Sequence, residues 1–599
     1  MDTDLISSDE EDYLDLLLQD GDIVDDTESY TTEPEVFSSQ DSSQSLYGDT
    51  LAKSVYWKDE NTFDDSAPDP RTKAFKPEKP PGFQFANFTR KQLQGLKSPA
   101  DFFKLFCTVE LLTQICIATN NQARTLISAG MCTSYTSDGA WELLTVNELL
   151  RFVGIVIYMS VVKLSTVDKY WSTDVLYKSC PIRDVMSKKR FLAILSFIQV
   201  TSPAEVDKGD KLTRMRYLLD HVKEISQSLY FPHKDISADE RMVASKHKYS
   251  GIRQFIKDKP IRFGIKLWVL ACSVTGYTWN FFVYLGKKRT NIVDKSKGLA
   301  YTVVTTLCEK LYGQGFRLYV DSFYTTLHLA NDLLTNKVYL MGAVRSNSTA
   351  MPLVFKQSVD WSKLVSRGDF RWHREGSFVF IQWKDCKTVT LMSPLHKGSD
   401  VTSCYRTISN RSAWKRQNIK QPLVIHDYNV NMGGVDLSNQ YLNKYSSYIR
   451  TQSHWWKVLF FHCFDIMVVN SYIVFQEFIG KYPAQFENTT FDSRFGQLEF
   501  RESIASELMN IGRSSVENIV TKHMPSFLSN RKDCVYCNAK ASMDGLPSPS
   551  HKVFSFCNTC HVPLCCSATR NCFYQWHTEV NVQQYVSQNG KFKKRKLET

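Results

Sequence analysis

The chain is expected to fold as an α/β protein: a sheet core held between two helical stretches, preceded by a disordered acidic segment and followed by a cysteine-rich module. Three observations predict this. Apolar residues recur at helical spacing from about Ser98 to Tyr230. Near Asp235 the period changes to that of strands alternating with helices. Seven of the sixteen cysteines crowd between Cys534 and Cys572.

Charge is divided as sharply as structure. Residues 1–52 carry sixteen Asp and Glu and no Lys or Arg, which leaves 73 basic against 46 acidic residues, a net +27, in the remaining 547. A body that positive suits a polyanion, because each cation set against a phosphate releases condensed counterion. Residues 1–85 are rich in Ser, Asp, Glu and Thr and then in Pro, a composition that predicts disorder. The first twenty residues are acidic, so no secretory signal is expected. The remaining chain, 43% hydrophobic overall with 37 Phe, is rich enough in apolar residues for several structural units.

The helical part opens at Ser98, a capping residue with Pro99 at the first helical position. A second helix starts from Thr145, with Glu148 completing a capping-box pattern. Two stretches, 148–164 and 458–475, are apolar enough to suggest a membrane. Arg151 and Lys163 in the first, and His462, Asp465 and Asn470 in the second, point instead to buried core helices. Beyond Asp235, residues 261–286 read as two long strands turning at Thr275 and Gly276. A helix over about 300–312 comes next, then a short strand FRLYV ending at Asp321, a helix LHLANDLLTN and a strand VYLMGAV. Residues 348–420 hold a second hairpin, DFRWHREGSFVFIQWKDCKTVTLMSP, and helical character returns at Val435.

An Asp at the end of an apolar strand and before a helix, as Asp321 is, lies where α/β sheets place functional groups. Asp239 follows the short segment ISA, and Asp436 follows the turn signal Gly433–Gly434 and begins a helix. Two carboxylates from the sheet and one from a later helix make a plausible divalent-metal site. The segments SADERMVASKHKYSG, RLYVDSFYTTLHLANDLL and YNVNMGGVDLSNQYLNKYS resemble, in order and spacing, the signature blocks of piggyBac transposases.

That resemblance implies an RNase H-like catalytic core with an inserted β-rich segment, flanked by a helical dimerisation and DNA-binding domain. The implied division is 1–85 disordered, 86–235 helical, 236–347 catalytic, 348–420 β-rich insertion, 421–441 catalytic again, 442–510 helical again, 530–580 zinc domain and 581–599 basic tail. Asp239, Asp321 and Asp436 would be the catalytic triad, binding Mg²⁺ or Mn²⁺ for two-metal phosphoryl transfer. The family's fourth acidic position falls on Asn439, an amide that would ligate only weakly. The activity implied is DNA cleavage and transfer through hairpin intermediates, with TTAA targets, by a nuclear homodimer acting on double-stranded DNA. The alternative is a transposase-derived DNA-binding protein that no longer transfers strands. Trp455 matches a family tryptophan that would stack on an unpaired base. Lys246, Lys248, Arg253, Lys257 and Lys259 form a basic run after Asp239 that would track phosphates.

Cys534 and Cys537, Cys557 and Cys560, then Cys565, Cys572 and His577 have the spacing of paired zinc ligands, and two Zn²⁺ are expected. The order resembles the cross-brace domain that ends piggyBac transposases. Cys566, His561 and His551 are each candidates for an eighth ligand. A ubiquitin-ligase zinc module is the rival reading of such a tail, although the usual Cys-x-His step is missing. Lys591, Lys593, Lys594, Arg595 and Lys596 form a basic cluster of the nuclear-import kind.

Overall fold

The computed structural model describes residues 58–578 except 60–61, 67–73, 131–140, 178, 208, 246, 248–250, 258, 287–296, 357–360, 411–412, 448–453, 487–494, 512–524, 558–559, 561 and 568–569. The chain divides into two units, Met1–Met509 and Asn510–Thr599.

Helices build the first part of the larger unit. Ser98 caps α1 (Pro99–Phe106), with Pro99 at its first position and Asp101 closing a capping box. α2 (Val109–Ser128), α3 (Val146–Val161), α4 (Lys188–Phe197) and α5 (Thr213–Leu229) follow. Thr145 caps α3 by accepting from the Glu148 N–H, but only this half of the expected box forms. The Glu148 carboxylate instead takes two 2.7 Å hydrogen bonds from Arg190, and a bidentate charged contact outweighs a single amide.

A short ribbon, β1 (Gly82–Phe83) with β2 (Tyr230–Phe231), leads into one nine-stranded sheet. Its members are β3 (Asp235–Ala244), β4 (Arg253–Phe255), β5 (Phe263–Cys272), β6 (Thr278–Val283), β7 (Phe316–Val320), β8 (Val338–Ala343), β9 (Phe370–Glu375), β10 (Phe378–Lys384) and β11 (Thr388–Ser393). The order is β4-β5-β3-β7-β8-β11-β10-β9, with β6 pairing to β5 beyond the end of β4. β3 runs antiparallel to β5 and parallel to β7, and β7 runs parallel to β8. α6 (Leu299–Cys308) and α7 (Leu327–Thr335) lie in the two crossovers. The expected turn at Gly276 is present, with φ at +72°.

The second hairpin expected within 348–420 is a three-stranded meander, and it does not stand apart from the core. β11 pairs with β8 through Leu391↔Ala343 and Met392↔Gly342, closing what would otherwise be an open sheet edge. Another ribbon, β12 (Val401–Asn410) with β13 (Ala413–Pro422), is not announced by the sequence pattern, because it has no continuous apolar face. Next come α8 (Leu423–Asn431), α9 (Gly434–Lys444), α10 (Trp455–Lys481) and α11 (Gln497–Leu508). α10 is long and apolar enough to cross a membrane, yet it packs against α1, α5 and α11 with nearly all of its residues from Trp456 to Phe475 buried. It is the central helix of the core, as its internal polar residues predict.

Part of the segment expected to be disordered is ordered. Lys58 bridges to Trp372 of β9, and Asp64 is buried. Asp64 accepts from Arg374 at 2.6 and 2.9 Å and from the Gly398 N–H at 2.8 Å. Composition could not reveal this, because the guanidinium that holds Asp64 lies 310 residues away.

In the smaller unit, β14 (Pro525–Asp533) pairs antiparallel with β15 (Lys552–Cys557). α12 (Val535–Met543) and α13 (Cys572–Thr578) accompany them. Its core is small, made of Val535, Tyr536, Leu564, Trp576 and cysteines.

Candidate functional site

Topology makes Asp239 and Asp321 neighbours. β3 and β7 are adjacent and parallel, in a register whose last pair is Ala238↔Val320. The next residue on each side is an aspartate, and paired strands stand about 4.8 Å apart. Beyond β7 the chain turns at once: the Asp321 carbonyl accepts from the Tyr324 N–H at 3.1 Å and from Thr325 Oγ1 at 3.1 Å.

Asp436 arrives on α9, whose start is clamped to the sheet. The Val435 N–H donates to Ser237 Oγ at 3.0 Å. A Cβ on Gly434 would stand 2.6 Å from Ser237 Oγ and 2.8 Å from Ser273 Cα, so only glycine allows this approach. Asp436, two residues on, is exposed, whereas Asp239 and Asp321 are half-buried.

The charged surroundings tie the three together. Lys259 Nζ sits 3.1 Å from Glu240 Oε1. Burial works against the Lys259 charge, but Asp239, Glu240 and Asp436 outweigh it and raise its pKa. Tyr428 donates to the Val320 carbonyl at 3.1 Å, and its pKa is raised by burial and then by Asp321 and Asp239. Asp239 itself is pushed well above the usual carboxylate range, first by burial and then by Glu240 beside it. Such a crowd of hard oxygen donors, one of them reluctant to ionise, has the chemistry that a divalent cation relieves. The three carboxylates stand wider than a single close ligand cage. Among the described residues, the group of three or more ligand atoms all within 4.8 Å of one another is a thiolate set.

Several neighbours escaped the sequence pattern. Glu240 accepts from Tyr324 Oη at 3.3 Å as well as pairing with Lys259. Lys266 Nζ lies 3.9 Å from the centre of the Trp268 ring. Arg241 is buried, with its Nε donating to Asn439 Oδ1 at 2.6 Å and its Nη2 to Ser438 Oγ at 2.8 Å and Thr278 Oγ1 at 3.1 Å. Burial lowers its pKa to about 9. Asn439, expected as a weak metal ligand, gives its Oδ1 to this guanidinium. Arg241 was accessible to a strand argument, since residues two apart share a face and it lies two beyond Asp239.

The basic run divides. Lys246 and Lys248 lie outside the described residues, Lys257 is exposed, and Arg253 lies over the Phe263 ring at 4.9 Å. Lys259 turns to Glu240. Trp455 is the half-buried first residue of α10, next to a fully buried Trp456.

In the smaller unit, Cys534, Cys537, Cys565 and Cys572 converge with all ligand atoms within 4.8 Å of one another. Cys537 Sγ lies 3.4 Å from Cys572 Sγ and 3.8 Å from Cys565 Sγ. Four thiolates around one Zn²⁺ stand about 3.8 Å apart, whereas a disulfide needs about 2.05 Å. Burial, then the charge of neighbouring Cys534, pushes the Cys565 thiol up to about 12, a repulsion that a dication would remove. The first cysteine pair thus joins the third and skips the second, an interleaved arrangement. Cys557 and Cys560 stay together, with the Cys560 N–H donating to Cys557 Sγ at 3.3 Å. The His577 side chain and Lys591, Lys593, Lys594, Arg595 and Lys596 lie outside the described residues.

Residues 98–472 match the family model described as Transposase IS4. Human PiggyBac transposable element-derived protein 3 is 25% identical over 509 residues, covering 81% of this chain and 77% of its own. Human PiggyBac transposable element-derived protein 5 is 22% identical over 458 residues, covering 74% and 81%. Among solved structures, a piggyBac transposase synaptic complex with hairpin DNA aligns at a TM-score of 0.57 and 22% identity, over 80% of this chain and 96% of that one. The last is a likeness of fold.

Proposed function

Because the chain belongs to the piggyBac-type transposase family, we propose that it cleaves and transfers DNA strands at a site formed by Asp239, Asp321 and Asp436. The observation that carries this is the register of β3 against β7, with α9 clamped over them by Gly434. An RNase H-like core fits the five strands β6-β5-β3-β7-β8, a meander followed by two parallel strands.

The three aspartates would hold Mg²⁺ or Mn²⁺, which when bound would stabilise charge on the attacking and leaving oxygens. Two ions lie about 3.5–4 Å apart in such sites, so the donors span more than one close cage. The chain's own residues do the rest. Lys259 and Lys266 temper the acidic cluster and offer positive charge to a phosphate, while Tyr324 and Tyr428 hold the ends of β3 and β7 in register. The fold relative's hairpin DNA supports double-stranded DNA as the substrate, with hairpin intermediates and TTAA targets as the family implies. Action as a homodimer in the nucleus, with Trp455 against an unpaired base and the basic tail directing import, completes the reading. The thiolate set supports one Zn²⁺; the second would use Cys557, Cys560 and His577.

A second reading has its own support. Asn439, where the family implies an acidic residue, puts a neutral amide held by Arg241 beside the site in place of a carboxylate, which favours a DNA-binding protein without strand transfer. Nicking of supercoiled plasmid by the purified full chain in Mn²⁺ separates the two. The enzyme reading expects nicking that chelation abolishes and that Asp321→Ala lowers on the order of 10²–10³-fold. DNA retention without nicking in the wild type selects the binding protein, and equal nicking by both proteins defeats the assigned site.

A further inference from the structure

The β12–β13 ribbon has a built asymmetry. Its inner side is anchored to the unit: Ile419 is buried with Trp372, Trp383, Val424 and Ile425, and Trp383 Nε1 donates to the Lys420 carbonyl at 3.0 Å. Arg406 is fixed by Asp385 Oδ2 at 3.1 Å. The opposite side follows from the register, in which Tyr405 faces Asn418, Thr407 faces Arg416 and Ser403 faces Lys420, with Trp414 two residues before Arg416. Alternation puts these residues on one face. Trp414 is 76% exposed and Tyr405 60%, with the Arg416 guanidinium 4.6 Å above the Tyr405 ring.

Sequence gives this face its sign. Of its residues, Arg416 and Lys420 are cations, and residues 401–422 contain no Asp or Glu to oppose them. Charged side chains alone would guard a ribbon edge against strand addition, but two cations beside two exposed aromatics, with no carboxylate in the ribbon, suit a polyanion with flat groups. The dimensions agree: a two-stranded ribbon fits the ~12 Å major groove, and ten strand residues span about 33 Å.

We propose that this outer face is a DNA-docking ribbon, which lies against duplex DNA with Arg416 and Lys420 on phosphates and Trp414 and Tyr405 against the groove wall. It rests on the reading of DNA as substrate and adds a second contact away from the aspartates. A protein partner of acidic surface is the competing occupant.

The test is the salt dependence of binding by the full chain to a fluorescent duplex of random sequence. Each phosphate contact contributes about 0.9 to the slope of log K against log salt. Arg416→Ala/Lys420→Ala is expected to flatten the slope by about 2, and Arg416→Glu to weaken binding further. Trp414→Ala is expected to weaken binding at unchanged slope. These side chains are exposed, and circular dichroism checks that the fold is kept. A double variant with the wild-type slope overturns the ribbon, and leaves a protein partner as its occupant, while DNA remains the substrate. A wild type that binds with no salt dependence overturns both readings.

Discussion

Glycine at 434 shows how much one missing carbon can determine. Its hydrogen lets α9 descend onto Ser237 and the β5–β6 turn, and two residues later the chain presents Asp436. Gly276 does the same from the other side, where a Cβ would meet Leu437 at 2.9 Å. Gly434→Ala is therefore expected to lift the helix by a fraction of a turn while leaving the sheet intact. Displacements near 1 Å cost roughly 10²-fold in rate at oriented sites. Plasmid nicking should fall by about that factor, with a far-UV spectrum like the wild type; unchanged nicking would remove the clamp from the account. The MGGVD block was visible in sequence, but what its glycines press against was not.

Among the elements, α10 is where burial and charge compete. Asp465 in its middle accepts from the Ser447 N–H and Oγ at 2.9 and 2.7 Å and faces Arg501 of α11 at 3.3 Å. Burial raises the Asp465 pKa and lowers that of Arg501, and their mutual attraction only partly offsets this. Removing one partner strands the other in an apolar helix packing, which costs about 3–5 kcal/mol. Arg501→Ala should therefore lower the denaturation free energy by that amount, whereas Asp465→Leu/Arg501→Met should lose much less. A single variant as stable as the wild type would mean that water reaches the pair. The apolar run of α10 was legible as a core helix because of Asp465 itself. Its partner, 36 residues on, was not, since nothing in local spacing marks Arg501.

For the molecule as a whole, the two units answer to different forces. The larger unit has a sheet and a long central helix to bury, while the smaller has few apolar residues beyond its cysteines. A unit of that kind would draw folding free energy from a metal bound by its four thiolates. Chelation, or Cys537→Ser, is expected to release zinc and abolish the near-ultraviolet signal of Trp576. The main thermal transition should stay in place. A chain that carries no zinc by mass spectrometry and keeps its structure under chelation would make the thiolate set a packing feature only.

Much of the fold was written locally. Helix caps at Ser98 and Thr145, the turn at Gly276, the strand before Asp321 and the paired cysteines each depend on neighbours within a few residues, so period and turn chemistry reveal them. Family resemblance then nominated Asp239, Asp321 and Asp436. What only the tertiary structure decided are contacts between distant segments: Arg241 on Asn439, Asp64 under Arg374, β11 on the edge of β8, and the first cysteine pair meeting the third. The physical reason is common to all of them. A hydrogen bond or a buried charge is set by proximity in space, and a sequence orders residues only along the chain.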